Sequence, residues 1–296
     1  MKTACIVLNY KGTQSALRLI KSLKELDDDD KEIFVVENGS PDNSREIFER
    51  ELGSSQVVAT AVNLGYAGGM NLGLKHALEK TDAQYFWILT KDLTVERDSL
   101  SQLHKLWPRL HKPGFLGSLT DLNATEKVYF YQAQIEPSGH TRHGTKGRSV
   151  GEIPELSKEF GSTDYVNGAC VFTSRKVLEK VGLISEDYFL YYEDCDWGLR
   201  ATRLGFKHYV SYRSRVHHHR EVGAFNPVAE YYCRRNAFLF KKQNGFLKSW
   251  SKTAELLRIQ KATFKSWLKG DQKMLEVLRA VKRDVQAEKS GVGPWR

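Results

Sequence analysis

Three short runs of consecutive apolar residues, at 4–8, 33–36 and 85–89, restrict the fold of this chain more than any other feature. A strand is apolar at every position only when both of its faces are covered, as in a parallel sheet flanked by helices. The intervening segments supply such helices. Residues 9–12 turn the chain, and a helix starting at Thr13 or Ser15 carries Leu17, Ile20, Leu23 and Leu26 on one side. Residues 27–30, four acids in a row, read as a solvated loop. The run at 33–36 ends in the turn-rich stretch Glu37-Asn-Gly-Ser-Pro-Asp-Asn-Ser44, and a helix is expected from Arg45. Residues 57–59 supply a third strand. This alternation predicts an α/β fold built from βαβ units. In such open sheets ligands bind outside the carboxyl ends of the strands. Glu37 and Asp42, and Asp92 beyond the run at 85–89, therefore share one rim. The alternative for Glu37 and Asp42 is turn chemistry and a helix cap.

Between these strands, Asn63-Leu-Gly-Tyr-Ala-Gly-Gly-Met-Asn-Leu-Gly73 carries glycines at 65, 68, 69 and 73, and a helix follows through Leu74, Ala77 and Leu78. The glycines permit close backbone approach, and the N-terminus of the following helix offers N–H groups to an anion. The stretch is neither a Walker sequence nor a dinucleotide fingerprint.

The densest chemistry lies in Tyr188-Phe-Leu-Tyr-Tyr-Glu-Asp-Cys-Asp-Trp-Gly-Leu-Arg200, with Glu193, Asp194 and Asp196 within four residues. Trp197, Leu199, Arg200 and Leu204 follow at helical spacing and Gly205 stops them, so Asp196 or a neighbour is expected to cap that helix. Crowded acids shift one another's pKa, and one of them then serves as a general base. The bland alternative is a capping role alone. Residues 164–172 read as a buried strand and 207–211 as another, leading to His217, His218 and His219. This cluster suits a metal, a phosphate or plain surface. Residues 127–135 alternate like an antiparallel strand, and 137–140 form a turn. The Gly-, Lys- and Arg-rich stretch 140–151 is either a lid over phosphates or a solvated loop.

With 296 residues the chain holds one large or two modest domains. No apolar run approaches the roughly 20 residues of a membrane span. Four scattered cysteines form neither a disulfide framework nor a zinc spacing, and no signal-peptide pattern opens the sequence, so a cytoplasmic protein is expected. The net charge of +9 is uneven. From Asn226 onward 16 Lys and Arg face 6 Asp and Glu, which leaves 29 basic against 30 acidic groups before it. A neutral body with a basic tail argues against nucleic acid as a partner.

Taken together, Val7-Leu-Asn-Tyr10, Glu37-Asn-Gly-Ser-x-Asp-x-Ser44, Asn63-x-Gly-Tyr-Ala-x-Gly-x-Asn-x-Gly73, Asp92, Asn167-Gly-Ala, Glu193-Asp-x-Asp196 and the histidines resemble the family 2 glycosyltransferases, most closely their rhamnosyltransferase-like branch. The resemblance covers residues 3–245. It implies a GT-A fold with a mixed central sheet flanked by helices, followed by a C-terminal helical tail at 246–296. It also implies an inverting transfer from a nucleoside-diphosphate sugar, dTDP-rhamnose or a UDP-hexose, to a hydroxyl of a glycan or lipid-linked acceptor in bacterial surface polysaccharide synthesis. Asp194 would be the base, with Glu193 and Asp196 on the acceptor side. Asn9, Tyr10, Glu37, Asp42, Asn63, Gly65, Gly69, Lys91 and Asp92 would line the donor nucleotide. Asp92 and His218, with His217 and His219 as alternatives, would hold a divalent cation, Mg²⁺ or Mn²⁺.

The chain departs from the family pattern at two positions: Glu37 replaces an Asp, and Thr90 replaces the polar or acidic residue two before Asp92. The second leaves the cation site short of an acid and makes Lys91 an alternative carrier of leaving-group charge. A catalytically impaired nucleotide-sugar-binding or scaffold protein is therefore the rival reading. In the tail, Leu256, Ile259, Phe264 and Trp267 oppose Arg258, Lys261, Lys265 and Lys269, while Met274, Leu278, Val281 and Val285 mark a second amphipathic helix. Such helices suit an anionic membrane surface, giving a peripheral protein on the inner face of the cell membrane. Otherwise they pack on the body, or on a second subunit of a homo-oligomer.

Overall fold

A computed structural model describes residues 1–144, 147–219, 225–247 and 251–295. The chain begins with β1 (Thr3–Asn9), α1 (Thr13–Lys24), β2 (Lys31–Asn38), α2 (Ser44–Leu52), β3 (Val57–Thr60), α3 (Gly65–Lys80) and β4 (Tyr85–Thr90). These four strands are parallel, in the order β3-β2-β1-β4. All seven residues of β1 are buried, which accounts for its unbroken apolar run. Because the strands are parallel, Asn9, Glu37 and Thr90 end on one edge.

Next come β5 (Leu93–Val95), α4 (Ser99–Leu106), β6 (Pro113–Leu122), β7 (Lys127–Phe130), β8 (Ala133–Ile135), β9 (Thr141–His143), β10 (Phe160–Thr163), β11 (Cys170–Ser174), α5 (Arg175–Val181), α6 (Glu193–Arg203) and β12 (Lys207–His218). Strand β11 joins β4 antiparallel and continues the sheet to β6, β12 and β10, so it is mixed. Strands β5 and β7 pair at its margin, and β8 and β9 form a separate hairpin.

The helix expected to follow the glycine-rich stretch through Leu74 starts already at Gly65 and includes all four glycines. A Cβ on Gly73 would stand 2.5 Å from Val36 Cγ2 and 2.7 Å from Ile6 Cγ2, and one on Gly69 would stand 2.7 Å from Leu8 Cδ1. These two glycines seat α3 directly on β1 and β2. The strand expected over 164–172 starts only at Cys170. Asn167 folds back first: its Oδ1 accepts from the Ala169 N–H at 3.0 Å and its carbonyl from the Cys170 N–H at 3.1 Å. The alternation over 127–135 splits into β7 and β8. Of the stretch 140–151, residues 145 and 146 lie outside the described residues. Beside them β9 pairs with β8, while Gly147 and Arg148 bond to Val128. The acidic loop at 27–30 is not wholly solvated, since Asp28 Oδ2 meets the buried His104 Nδ1 at 2.7 Å.

After β12 come α7 (Pro227–Gln243), which precedes the expected tail, and then α8 (Ser251–Leu268) and α9 (Gln272–Gln286) within it. Helix α9 buries Leu278, Val281 and Val285 in one apolar cluster with Tyr188, Phe189, Tyr231 and Tyr232. Tyr231 Oη donates to Asp284 Oδ2 at 2.5 Å, and Tyr232 Oη to the Trp295 carbonyl at 3.0 Å. In α8, Ile259 turns inward, while Leu257, Phe264, Trp267 and Leu268 stay exposed. Among the described residues no helix is long and apolar enough to cross a membrane.

The seating of α3 can be tested at one atom. Gly73→Ala should lower stability by about 1–3 kcal/mol, because an added methyl has nowhere to go in a packed interface. Thermal melts read this directly. A variant melting at or above the parent would show that α3 has room to shift.

Candidate active site

A cleft of about 360 Å³ opens where the carboxyl end of β4 meets the turn before β11 and the start of α6. Its walls include Tyr66, Thr90, Asp92, Tyr129, Asn167, Gly168, Leu190, Tyr191, Glu193, Asp194 and His218. Asp92, Glu193, Asp194 and His218, expected from sequence, thus come together. Asn9, Tyr10, Glu37, Asp42, Asn63, Gly65, Gly69, Lys91 and Asp196 do not line it.

Asp194 lies in the first turn of α6, where the free N–H groups of a helix N-terminus favour a carboxylate. Its Oδ2 accepts from the Gly168 N–H at 3.0 Å and its Oδ1 from the Cys195 N–H at 2.8 Å. None of the acids caps the helix, contrary to expectation. The cap is Tyr192 in a left-handed conformation with φ 74°. Phe189 and Tyr191 also have positive φ, of 60° and 67°. A non-glycine residue pays about 1–3 kcal/mol for such a conformation, so the surroundings must enforce this turn.

The neighbouring acids differ in charge. Glu193 is 5% exposed, and its Oε2 has no hydrogen-bond partner. Burial, reinforced by Asp194, pushes its carboxyl well above the usual carboxylate range. For Asp92 burial acts in the same direction, but bonds from His218 and Thr90 outweigh it and hold the carboxyl at about 2. His218 Nε2 lies 3.0 Å from Asp92 Oδ2, and Thr90 Oγ1 donates to Oδ1 at 2.7 Å. The adjacent histidines point elsewhere. His217 Nδ1 faces Asp121 at 2.9–3.0 Å and His219 Nε2 faces Thr94 at 2.8 Å.

The remaining predicted residues hold the rim in shape. Glu37 is buried, and its oxygens accept from Asn9 Nδ2 at 2.5 Å, the Ser40 N–H at 2.7 Å and Ser44 Oγ at 2.7 Å. Asp42 accepts from the Ser44 N–H. Asn63 Oδ1 takes the Gly65 N–H at 2.8 Å and starts α3. The Lys91 ammonium donates to the Tyr10 carbonyl and lies over Gly12. Asp196 is held by Arg200 Nε at 2.9 Å, Asn244 Nδ2 at 3.1 Å and Tyr188 Oη at 3.3 Å.

The family model described as glycosyl transferase family 2 matches residues 4–182. The chain belongs to that family. Within it, the chain is 26% identical over 201 residues to the low-salt glycan biosynthesis hexosyltransferase Agl10 of Haloferax volcanii, covering 67% of this chain and 61% of that protein. The N-acetylglucosaminyl-diphospho-decaprenol L-rhamnosyltransferase of Mycobacterium tuberculosis is 23% identical over 268 residues, 82% of this chain and 86% of its own length. The dTDP-rhamnosyl transferase RfbF of Shigella flexneri is 23% identical, with 62% of this chain and 61% of RfbF covered. The chain thus spans about three fifths of the length of two of these relatives. Among solved structures, the mannosyltransferase PcManGT of Pyrobaculum calidifontis, in complex with GDP-Man and Mn²⁺, superposes with a TM-score of 0.61 at 14% identity. That match covers 97% of this chain and 88% of PcManGT. S. aureus TarS 1-349 with UDP-GlcNAc gives 0.56 at 13% identity, covering 98% and 93%. The fold is GT-A, as the family resemblance implied.

Sequence reading missed Tyr129, whose ring meets the His218 ring edge-to-face at 4.5 Å. It also missed Tyr66 as a cleft residue. Burial and the nearby Glu193 and Asp194 keep its phenol protonated, and the phenol donates to the Gly168 carbonyl. The tyrosine directly after Gly65 was the available signal.

The raised carboxyl pKa of Glu193 has a stability consequence. Its raised pKa means that the folded protein loses stability as pH rises above 4.5, the ordinary value for Glu, because only the unfolded chain then ionises freely. Glu193→Gln should therefore melt higher than the parent at neutral pH, by roughly 2 °C for each kcal/mol recovered. The gap should close below about pH 4.5. A melt difference independent of pH would show that Glu193 is ionised in the folded chain.

Proposed function

We propose that this chain is an inverting glycosyltransferase moving a sugar from a nucleoside-diphosphate sugar to a hydroxyl of a glycan or lipid-linked acceptor. The observation that carries this reading is the placement of Asp194 and the Asp92–His218 pair on the walls of one cleft. The relatives support the substrate classes, since their names specify hexosyl and rhamnosyl transfer, a dTDP-rhamnosyl donor and a diphospho-decaprenol acceptor. Glycan or polysaccharide synthesis is the setting that fits them.

The acceptor hydroxyl oxygen attacks the anomeric carbon, the bond from that carbon to the diphosphate oxygen breaks, and the configuration inverts. The hydroxyl proton passes to the Asp194 carboxylate, whose two backbone N–H donors hold it in place. The transition state is oxocarbenium-like, with charge growing on the leaving diphosphate. Among the described residues no group of three or more His, Cys, Asp or Glu is placed to hold a metal. An ionised Asp92 and the His218 imidazole nevertheless make a two-donor set that fits Mg²⁺ or Mn²⁺ once diphosphate oxygens complete it. Such a cation would neutralise leaving-group charge. The structures of PcManGT with GDP-Man and Mn²⁺ and of GalNAc-T7 with UDP, GalNAc and Mn²⁺ support this assignment. Glu37, Asp42, Asn63 and Lys91 act by shaping the donor rim.

Asp194→Asn should lower transfer by about 10²–10⁴ while the nucleoside diphosphate binds within a few-fold of the parent, because general-base help acts on the acceptor. Turnover of a nucleotide-sugar panel and calorimetry read both quantities. Activity should vanish with chelator, return with Mn²⁺ or Mg²⁺, and be lost in Asp92→Ala. Full activity in chelator would discard the cation. Nucleotide binding without turnover of any donor would favour the non-catalytic scaffold.

We place the membrane contact on α8, where exposed Leu257, Phe264, Trp267 and Leu268 accompany Lys261, Lys265 and Lys269. This suits a lipid-linked acceptor and a peripheral location. The full chain should co-sediment with vesicles containing anionic lipid, and Phe264→Ser with Trp267→Ser should weaken that by tenfold or more. Equal recovery of both proteins would remove the membrane role.

A further inference from the structure

The left-handed turn that precedes the acids is held from behind by one amide. Asn236, fully buried on α7, directs its Nδ2 to the carbonyls of Tyr188 at 2.7 Å, Leu190 at 2.8 Å and Tyr191 at 2.8 Å. Its Oδ1 accepts from Arg235 Nε at 2.8 Å, which fixes the amide's orientation, since a flip would set oxygen against three carbonyls. Arg235 is also fully buried. Its Nη2 reaches the Tyr188 carbonyl at 3.2 Å, its Nη1 the Gly291 carbonyl at 2.7 Å, and its guanidinium lies over the Tyr231 and Tyr232 rings. Gly291 in turn donates its N–H to the Asp187 carbonyl at 2.5 Å. On the opposite side the Phe189 carbonyl accepts from the Tyr66 N–H at 2.7 Å.

We propose that Asn236 is a positioning residue for transfer: by binding three carbonyls of one turn it fixes where α6 begins, and thereby where Asp194 meets Gly168 and the cleft. Arg235, tied to the chain near residue 291, keeps the amide oriented. Neither residue lines the cleft, so both act through the turn. This rests on the transferase reading with Asp194 as base.

Asn236→Asp tests it in the full-length protein, because a carboxylate of the same shape offers no N–H to the three carbonyls. The kcat should fall about 100-fold while the Kd for nucleoside diphosphate stays within threefold. Hydrogen exchange across residues 188–196 should rise at least tenfold. Unchanged kcat in a folded variant, or loss of nucleotide affinity in step with kcat, would overturn the proposal. If that variant does not fold, Arg235→Lys decides: it keeps the charge and loses the fork. It should show a kcat lower by about tenfold, an unaltered Kd and faster exchange over the same residues, and parental values would refute the proposal. Absence of turnover in the parent protein would sink the transferase reading, while the exchange comparison would still judge the clamp.

Discussion

Helix α3 rests at glycines 69 and 73 directly on the side chains of Ile6, Leu8, Val36 and Asn38 in β1 and β2, and the site depends on that contact. A helix standing one methyl further out would carry its first turn away from the cleft. As it is, Gly65 and Tyr66 reach the other half of the protein. A Cβ on Gly65 would stand 2.3 Å from the Phe189 carbonyl, and the Tyr66 N–H bonds to that same oxygen. The Tyr66 phenol also spans to Gly168, whose N–H holds Asp194. Close packing of α3 on the parallel strands thus sets the position of a carboxylate at the start of α6.

The two halves differ in how they treat charge. At the end of β4 a carboxylate is surrounded by donors and remains ionised. At the start of α6 Glu193 is buried with an unpartnered oxygen beside another acid, and its neutral form is favoured. One cleft therefore contains an acid held by His218 and Thr90, an acid with two backbone donors, and an acid whose carboxyl burial pushes well above the usual range. Environment rather than residue type separates their roles.

Strands β1, β2 and β4 were legible because burial of β1 and of the central residues of β2 and β4 leaves a plain apolar signature, and the rim followed from the shared direction of parallel strands. Asp92, Asp194 and His218 were legible through the order of motifs along the chain. The glycine stretch was misread because glycine favours loops as readily as it permits a tight helix contact. The turn at 188–192 had no local sign, since left-handed backbone falls there on Phe and Tyr rather than Gly or Asn. Its support was legible in principle. Arg235 and Asn236 stand between Tyr231, Tyr232 and Phe238, Leu239 on the buried side of α7, where polar residues need a reason. In α9 the spacing of Leu278, Val281 and Val285 was legible, and their apolar face is covered by the body, the packing alternative weighed for the tail.

The ties from Gly291 and Trp295 back to Asp187, Arg235 and Tyr232 also impose an order in time. Residue 188 is synthesised about a hundred positions before the segment that secures it, a delay on the order of 5–20 s at typical elongation rates. Through that interval the parallel sheet has every strand it needs, while the turn ahead of Asp194 lacks its last anchor. A nascent chain therefore completes its parallel sheet before residues 291–295 secure the turn ahead of Asp194.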